Sequence, residues 1–307
     1  MKKTLRPLLV FSLVLNLVLL FSFFSDSTET KSNNTPLGRQ YNIQPVTLPD
    51  SINFAGEPAP LQYFDVREGL DREMLINIYW QSQTLLFIKR ANRYFPVIEK
   101  ILKENNIPED FKYIPLIESG FLHIVSPADA TGYWQFIETT AKEYGLEVNG
   151  EVDERYHLEK ATRAACLYFR SARELFGNWT MAAASFNIGR TELKRQSMIQ
   201  ATNNYYDLKL NNETGRYIYR ILAIKQILSQ PAEYGFRIQP SDLYPELKAR
   251  AITVDTTITS ITVFARKQGI SYKLLKLHNP WLRADKLTNM QGKQYTLYIP
   301  ESNSRSY

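Results

Sequence analysis

The sequence predicts a mainly α-helical domain followed by a small module of mixed helices and strands. In the long first part, apolar residues recur at spacings of three and four, as at Leu70, Met74 and Ile78, which is the period of one helix face. Near the end, two short strand-like segments, residues 250–254 and 294–299, flank two helical patterns. The change from one pattern to the other indicates two structural units.

The composition predicts a folded protein with a substantial core. The chain has 307 residues, of which 44% are hydrophobic and 13% aromatic, so it is long enough for one sizeable domain and a smaller one. Its net charge of +6 favours anionic surroundings such as peptidoglycan, membrane phosphates or nucleic acid. Because the basic residues are scattered and form no dense run, we expect no nucleic-acid binding.

The cysteine and histidine content excludes several kinds of chemistry. Cys166 is the only cysteine, and it lies in an apolar helical pattern, which predicts a buried, unreactive thiol and no intrachain disulfide. The histidines His123, His157 and His278 lack the paired spacing of a zinc site. We therefore expect no metal ion.

The N-terminal segment has the pattern of a secretory signal peptide or signal anchor over residues 1–24. Lys2, Lys3 and Arg6 precede an apolar stretch at residues 8–24. No small-residue cleavage site follows that stretch, which favours an uncleaved anchor in the inner membrane. No cysteine comes directly after the apolar stretch either, so we expect that the protein is not a lipoprotein. The basic end should stay in the cytoplasm, which predicts a periplasmic or cell-envelope location for the rest.

Three further segments follow from composition and periodicity. Residues 25–60 are rich in Ser, Thr, Asn and Pro, which predicts a flexible linker. Residues 61–238 carry the helical pattern and are expected to form one globular domain. Residues 250–300 are expected to form the small C-terminal module.

Glu118 is the strongest candidate for a catalytic residue. It ends the apolar run that begins at Tyr113 and is followed at once by Ser119 and Gly120. A carboxyl group at the end of an apolar helix is partly withdrawn from water, which raises its pKa and lets it hold a proton near neutral pH. We expect Ser119 to bond either to Glu118, to the substrate or to the local backbone.

Three later motifs accompany Glu118 in order along the chain. They are Gly132-Tyr-Trp-Gln-Phe136, the small-residue segment that ends in Asn187-Ile-Gly189, and Glu213-Thr-Gly-Arg-Tyr217. Together the four motifs resemble the catalytic domain of lytic transglycosylases, the peptidoglycan-cleaving relatives of goose-type lysozyme. Within that family the chain is similar to the membrane-bound lytic murein transglycosylase D-like proteins.

The resemblance implies a lysozyme-like all-helical fold and a reaction that needs one carboxyl group. In this family a single glutamate, here Glu118, protonates the oxygen of the β-1,4 bond between N-acetylmuramic acid and N-acetylglucosamine. The same glutamate then accepts the proton of the muramyl C6 hydroxyl, which attacks C1 and leaves a 1,6-anhydro end. Peptidoglycan glycan strands are thus the expected partner. The resemblance implies no organic cofactor, because a proton donor and a nucleophile within the sugar suffice.

The resemblance also implies which side chains bind substrate. Gln135 would hydrogen-bond an N-acetyl group or a hydroxyl, Asn187 would position the sugar, and Tyr217 would bond to Glu118. Trp134 would stack on a sugar, although a core position is equally compatible with its sequence context. The chain departs from the family at Phe186, where relatives carry a tyrosine.

The C-terminal module resembles a LysM domain, a small glycan-binding fold. Its order of strand, two helices and strand agrees, and Asn279 stands where an asparagine ends the second helix. The match is partial because Asp255-Thr-Thr-Ile258 replaces the usual Gly-Asp-Thr-Leu turn. Glycan binding and a structural role as a cap on the catalytic domain both remain open.

Two other functions fit the same residues. A muramidase that uses water would need a second carboxylate roughly 5–9.5 Å from Glu118, for which the sequence offers Asp129, Glu138, Asp153 and Glu154 without marking one. A non-catalytic peptidoglycan-binding protein of the envelope would keep the fold without needing the acid.

Overall fold

Helices dominate the computed structural model, which describes residues 43–301 and residue 305. This architecture confirms a mainly helical domain followed by a small module of helices and strands. The helices are α1 (Phe64–Tyr79), α2 (Gln81–Glu104), α3 (Tyr113–Ser119), α4 (Glu138–Glu143), α5 (Leu158–Phe176), α6 (Trp179–Ile188), α7 (Arg190–Ile199), α8 (Thr214–Ser229), α9 (Ile261–Lys267) and α10 (Tyr272–His278). The strands are β1 (Asn53–Phe54), β2 (Glu57–Pro58), β3 (Ala249–Val254) and β4 (Tyr295–Pro300).

Helix α6 forms the centre of the main core. Its side chains Met181, Ala182, Ala183 and Ala184 are fully buried, and small residues allow α5 and α8 to pack closely against it. Cys166 on α5 is also buried, as the sequence predicted, and burial raises the pKa of its thiol to about 12. A thiol in this environment is not a nucleophile.

The N-terminal part of the main core corrects one predicted boundary. Residues 25–60 were expected to form a flexible linker, yet Ile52, Phe54 and Ala59 are buried in the core and β1 pairs with β2 in a short hairpin. The helical period of three and four residues cannot reveal a hairpin whose alternate side chains enter the core. From Val46 onward the described residues belong to one compact unit.

The predicted anchor at residues 8–24 and the predicted linker up to residue 42 lie outside the described residues. Within the described ranges, 43–301 and 305, no helix combines the length and apolar character needed to cross a membrane.

The hairpin also supplies a cap for α6. Glu57 accepts hydrogen bonds from the backbone N–H groups of Trp179 (2.7 Å) and Thr180 (2.8 Å) and from the Thr180 hydroxyl (2.7 Å). The N-terminal N–H groups of a helix have no partner within the helix and carry partial positive charge, so a carboxylate there is stabilising. A segment distant in sequence thereby fixes the start of the central helix.

The C-terminal module has the predicted order of strand, two helices and strand. Strands β3 and β4 pair antiparallel from Ala249 opposite Pro300 to Val254 opposite Tyr295. The amide of the fully buried Asn279, which directly follows α10, exchanges two hydrogen bonds of 2.7 Å with the backbone of Tyr298. This asparagine therefore joins the end of α10 to the sheet.

The module packs against the helical domain through backbone pairing as well as side chains. The Asp153 N–H donates to the Trp281 carbonyl (2.9 Å), and the Arg283 N–H donates to the Glu151 carbonyl (2.8 Å). The guanidinium of Arg283 lies 4.1 Å from the centre of the Tyr156 ring, in the range of a cation–π contact. Residues 151–156 of the helical domain thus contact the C-terminal module.

We expect Glu57→Ala to lower the free energy of unfolding by about 1–2 kcal/mol, because it removes the acceptor that caps α6. Urea unfolding of the full-length protein followed by circular dichroism would measure this loss. Glu233→Ala, at an exposed turn residue, is the matched control and should change little. An equal effect of the two substitutions would contradict the role of the hairpin.

Candidate active site

Glu118 lies in the last turn of α3, a short helix whose other side chains are buried in the core. The helix ends at Gly120, which adopts the left-handed conformation (φ +59°) and donates its N–H to the Leu116 carbonyl (2.9 Å). Glycine reaches this conformation without the steric cost of a Cβ atom. The chain turns away at that point, which leaves the Glu118 carboxyl group half-buried at the helix end.

Burial raises the pKa of Glu118 above its ordinary value and is the largest influence on it. The negative charge of Glu213 raises it as well, while a hydrogen bond from Tyr217 and the positive charge of Arg220 lower it. The position at a helix C-terminus acts in the same direction as burial, because the helix dipole disfavours a negative charge there. The net effect favours the protonated acid.

Tyr217 holds one oxygen of this carboxyl group. Its hydroxyl donates a hydrogen bond of 2.6 Å to Glu118 Oε1, which is the contact that the sequence suggested. Tyr217 is fully buried on α8, and burial raises the pKa of its hydroxyl well above the ordinary value. The tyrosine therefore stays protonated and donates, so that the acidic proton of Glu118 is directed to Oε2.

Arg220, one turn further along α8 than Tyr217, binds the backbone at the C-terminal end of α3. Its guanidinium donates to the Ile117 carbonyl over 3.0 Å. Helix α8 thus contacts α3 through two side chains that lie three residues apart on one face. The packing of these helices sets the position of the carboxyl group.

Ser119 does not face a substrate, contrary to its prediction as a substrate-binding residue. It is buried, and its hydroxyl lies 2.8 Å from the Tyr133 carbonyl, 3.0 Å from the Pro115 carbonyl and 3.1 Å from the Phe121 N–H. The single hydroxyl proton is shared between the two carbonyl oxygens, and the hydroxyl oxygen accepts from the Phe121 N–H, so the bonds of this side chain go to the backbone. Ser119 instead joins the end of α3 to the segment that contains Tyr133.

Trp134 is also not positioned to stack on a sugar. Its side chain has no exposed surface, its indole N–H donates to the Thr162 hydroxyl (3.0 Å), and its ring packs near Phe169 and Phe186. Phe186 completes this apolar cluster. The prediction of sugar stacking by Trp134 is wrong because the indole fills the core beneath the site.

The loop at residues 129–136 depends on Arg155, which the sequence analysis missed. The buried guanidinium forms an ion pair with Asp153 (2.8 Å) and donates to the carbonyls of Asp129 (3.1 Å) and Phe136 (3.2 Å). A Cβ atom at Gly132 would come within 2.0 Å of the Arg155 carbonyl oxygen. Only glycine fits at this point, and the short Asp-x-Arg spacing was the available sequence signal.

Gln135 stabilises the same loop from inside. Its backbone has a positive φ of +53°, and its side-chain N–H groups donate to the carbonyls of Gly132 (2.9 Å) and Ile124 (3.1 Å). These bonds use the donors that were expected to contact an N-acetyl group. The amide oxygen is the part of Gln135 that remains suited to a substrate.

Asn187 and Glu213 join the end of α6 to the start of α8. The Asn187 amide donates to Glu213 Oε1 (3.1 Å) and accepts a hydrogen bond from the Thr214 hydroxyl (2.7 Å). Since Thr214 begins α8, these bonds tie the end of α6 to the helix that carries Tyr217. Glu213 is exposed, and its charge acts on Glu118.

The carboxylates that the sequence offered as a second catalytic group have other roles. Asp153 pairs with Arg155, Glu154 with Lys160, and Glu138 with Lys142, while the Asp129 side chain is exposed on the loop. Glu213, which the sequence analysis did not single out, is the carboxylate whose charge bears on Glu118. Within residues 43–301 and 305, no three His, Cys, Asp or Glu residues are grouped to hold a metal ion.

Comparison with known proteins agrees with this geometry. A family model described as "Transglycosylase SLT domain" matches residues 95–209, a range that contains the carboxyl group of Glu118, the loop and Asn187. The chain contains a transglycosylase SLT domain. A second model, "Soluble lytic transglycosylase C-terminal LysM-like domain", matches residues 250–303. Tyr217 lies outside both matched ranges, so its placement beside Glu118 comes from the structure.

Homologues of the SLT-domain chain include membrane-bound lytic murein transglycosylase D from Escherichia coli K12 and from Escherichia coli O6:H1 strain CFT073. Each is 28% identical over 245 residues, which cover 78% of this chain and 52% of the relative. The chain thus spans about half the length of these curated relatives.

The charges around Glu118 predict opposite effects of two substitutions on its pKa. Tyr217→Phe removes a donor that stabilises the carboxylate, so the pKa of Glu118 should rise and the acid should persist to higher pH. Glu213→Gln removes a nearby negative charge, so the pKa should fall and the acid should be lost at lower pH. Carbon-13 carboxyl titration of glutamate-labelled full-length protein would measure both shifts.

The Glu118→Gln variant is the control for that titration, because it identifies the Glu118 resonance by its disappearance. Shifts of the same sign in Tyr217→Phe and Glu213→Gln would contradict this electrostatic account.

Proposed function

We propose that this chain is a lytic transglycosylase that cleaves peptidoglycan glycan strands with Glu118 as its single general acid and base. The observation that carries the proposal is the half-buried carboxyl group of Glu118, whose pKa is raised by burial and whose Oε1 is held by Tyr217. The SLT domain and the homology to membrane-bound lytic murein transglycosylase D supply the substrate class.

In the first step Glu118 donates its proton to the oxygen that joins C1 of N-acetylmuramic acid to N-acetylglucosamine. The C1–O bond breaks, positive charge develops at C1, and the leaving sugar departs with a hydroxyl group. Tyr217 stabilises the carboxylate that forms, because its hydroxyl already donates to Oε1. The tyrosine thus offsets part of the cost of creating a charge in a buried place.

In the second step the C6 hydroxyl of the same muramyl residue attacks C1. Its proton passes to the Glu118 carboxylate, so a C1–O6 bond forms and the acid is regenerated. The nucleophile lies within the same sugar, and such proximity replaces both water and a second base. The sum of the steps consumes no water and gives a 1,6-anhydro end.

Two other polar groups fit substrate binding in this scheme. Asn187 and Glu213 are fixed to each other at the edge of the site, where the second amide N–H of Asn187 could bind a sugar hydroxyl or N-acetyl oxygen. The Gln135 amide oxygen could accept from an N-acetyl N–H. The bond between Asn187 and Glu213 and the bonds of Gln135 within its loop pre-organise these groups before substrate arrives.

One observation favours a second candidate function. Glu213 places a second carboxylate close enough to influence the pKa of Glu118, and a muramidase could use such a group to activate water. The hydrogen bond from Asn187 to Glu213 instead supports a positioning role for this carboxylate. The identity of the released product separates the two functions.

We further propose that the enzyme works in the cell envelope, held by an anchor at residues 8–24, with the catalytic domain followed by the module near residue 250. The extensive pairing of residues 151–153 with 281–283 supports a role of the module as a structural cap. The LysM-like match supports glycan binding, and the two roles are compatible if they use different faces.

Mass spectrometry of muropeptides released from purified peptidoglycan tests the proposed reaction. We expect the full-length protein to release products one water lighter than hydrolytic muropeptides. Glu118→Gln, which keeps the shape but cannot exchange the proton, should lower release roughly 10²–10⁴-fold. The amide should leave the fold intact, which circular dichroism would verify.

Asp129→Asn is the matched control, because it neutralises an exposed carboxylate on the loop of the site. It should keep the anhydro product. Reducing-end products that require Glu118 would establish a muramidase, and binding without release by either form would establish a non-catalytic protein.

A further inference from the structure

A groove of about 430 Å³ begins beside Glu118 and extends along α1 and α2. At its inner end lie Ile117, the neighbour of Glu118 in α3, and Glu213 and Arg220, whose charges act on the Glu118 carboxyl group. At its outer end lies Trp80. Residues next to Glu118 in the chain or in charge contact with it thus line the inner end of the groove, whereas its outer end on α1 and α2 belongs to none of the four motifs.

The indole of Trp80 is unusually accessible for a tryptophan. Its residue surface is 61% exposed, whereas Trp134 and Trp281 are almost completely buried and Trp179 is partly buried. Leaving so large an apolar surface in water is unfavourable unless something covers it. Because Trp80 lines a groove, its indole can contact a molecule bound there, which an isolated surface aromatic could not do.

Hydrogen bonds hold the backbone at the corner where Trp80 lies. Trp80 is the single residue between α1 and α2, and its N–H donates to the Ile76 carbonyl over 2.9 Å. The Thr84 hydroxyl donates to the Asn77 carbonyl (2.5 Å), and the Asn77 amide donates to the Glu73 carbonyl (2.8 Å). These bonds close the corner between the two helices.

The same corner is fixed relative to the catalytic residue. Arg90 on α2 donates to the carbonyl of Gly120 (3.0 Å), and a Cβ atom at Gly120 would lie 3.1 Å from the Phe87 ring. Helix α2 thus contacts the chain two residues beyond Glu118. The separation of Trp80 and Glu118 is set by packed structure rather than by a loop.

The charges of the groove indicate an uncharged occupant. Two guanidinium groups and two carboxylates line the groove. Arg216 forms an ion pair with the buried Glu73 (2.7 Å). Arg220 faces Glu118 and donates to a backbone carbonyl. An acidic peptide would need a net positive surface, whereas a pyranose ring offers an apolar face for Trp80 and polar edges for the amide of Gln83.

We propose that this groove is a distal saccharide subsite in which Trp80 stacks on an N-acetylhexosamine ring of the strand that Glu118 cleaves. The inference rests on the proposed function for the identity of the strand. Trp80 then acts by binding and orienting the strand, away from the reacting atoms. It should determine the preference for long strands over short oligomers.

The test uses full-length protein carrying Glu118→Gln, which binds without turnover, and a linear N-acetylglucosamine hexamer as the probe. Binding should shift the emission of the exposed tryptophan to shorter wavelength. In calorimetric titration, adding Trp80→Ala should weaken affinity about tenfold, as expected for the loss of an aromatic stacking contact together with its buried area. Trp80→Tyr should retain most of the affinity, because an aromatic face remains.

Phe64→Ala is the matched control, since Phe64 is an exposed aromatic on α1 that does not line the groove. It should leave affinity unchanged. The inference is overturned if the hexamer does not bind, if Trp80→Ala binds it as tightly as the parent, or if a free stem peptide binds in the groove in its place.

Turnover separates this inference from the proposed function. With Glu118 intact, Trp80→Ala should raise KM for long glycan strands while kcat and the product mass stay unchanged. Unchanged affinity together with anhydro products would reject the subsite and leave the function standing. Lost affinity together with hydrolytic products would reject the function and leave the subsite standing.

Discussion

The carboxyl group of Glu118 lies where burial disfavours a negative charge. The hydrogen bond from Tyr217 stabilises the ionised carboxylate and so lowers its pKa. Burial and the end of α3 favour the protonated acid, whereas Tyr217 and Arg220 lower the cost of the carboxylate. In the proposed mechanism Glu118 gives up a proton and then takes it back, which needs both influences. The packing of α8 against α3 provides them, and much of the remaining structure serves to maintain that packing.

The second constraint is the loop at residues 129–136, which is bonded to the residue that follows Glu118. Arg155 holds its two ends through backbone carbonyls, Gln135 stabilises its interior, and Ser119 connects it to the helix of Glu118. The C-terminal module pairs with residues 151–153, directly before Arg155. The module therefore holds the segment that carries Arg155, and Arg155 holds the loop at residues 129–136. This structural role does not depend on glycan binding by the module.

Sequence patterns revealed the residues whose chemistry depends on local context. Glu118 was recognisable because it ends an apolar run before Ser-Gly, and the strands of the C-terminal module were recognisable from their composition. Ser119 and Trp134 were misassigned because polarity and aromaticity do not show which way a side chain points. Their burial is decided by contacts with Tyr133 and Thr162, both remote in sequence.

Other residues escaped notice because long-range packing alone gives them a role. Glu213 directly precedes α8 and Trp80 lies between α1 and α2, and both line the groove although they are distant from α3 along the chain. Glu57 caps a helix more than a hundred residues away. The hairpin that carries Glu57 was taken for linker because its buried residues alternate over too short a span to give a periodic signal.

The central claim is that Glu118 catalyses cleavage without water. The most direct test is to digest purified peptidoglycan with the full-length protein in water enriched in oxygen-18 and to weigh the released muropeptides. If the C6 hydroxyl of the muramyl residue is the nucleophile, the products carry no heavy oxygen at C1. Incorporation of oxygen-18 at C1 would show that water attacks, and would contradict the account.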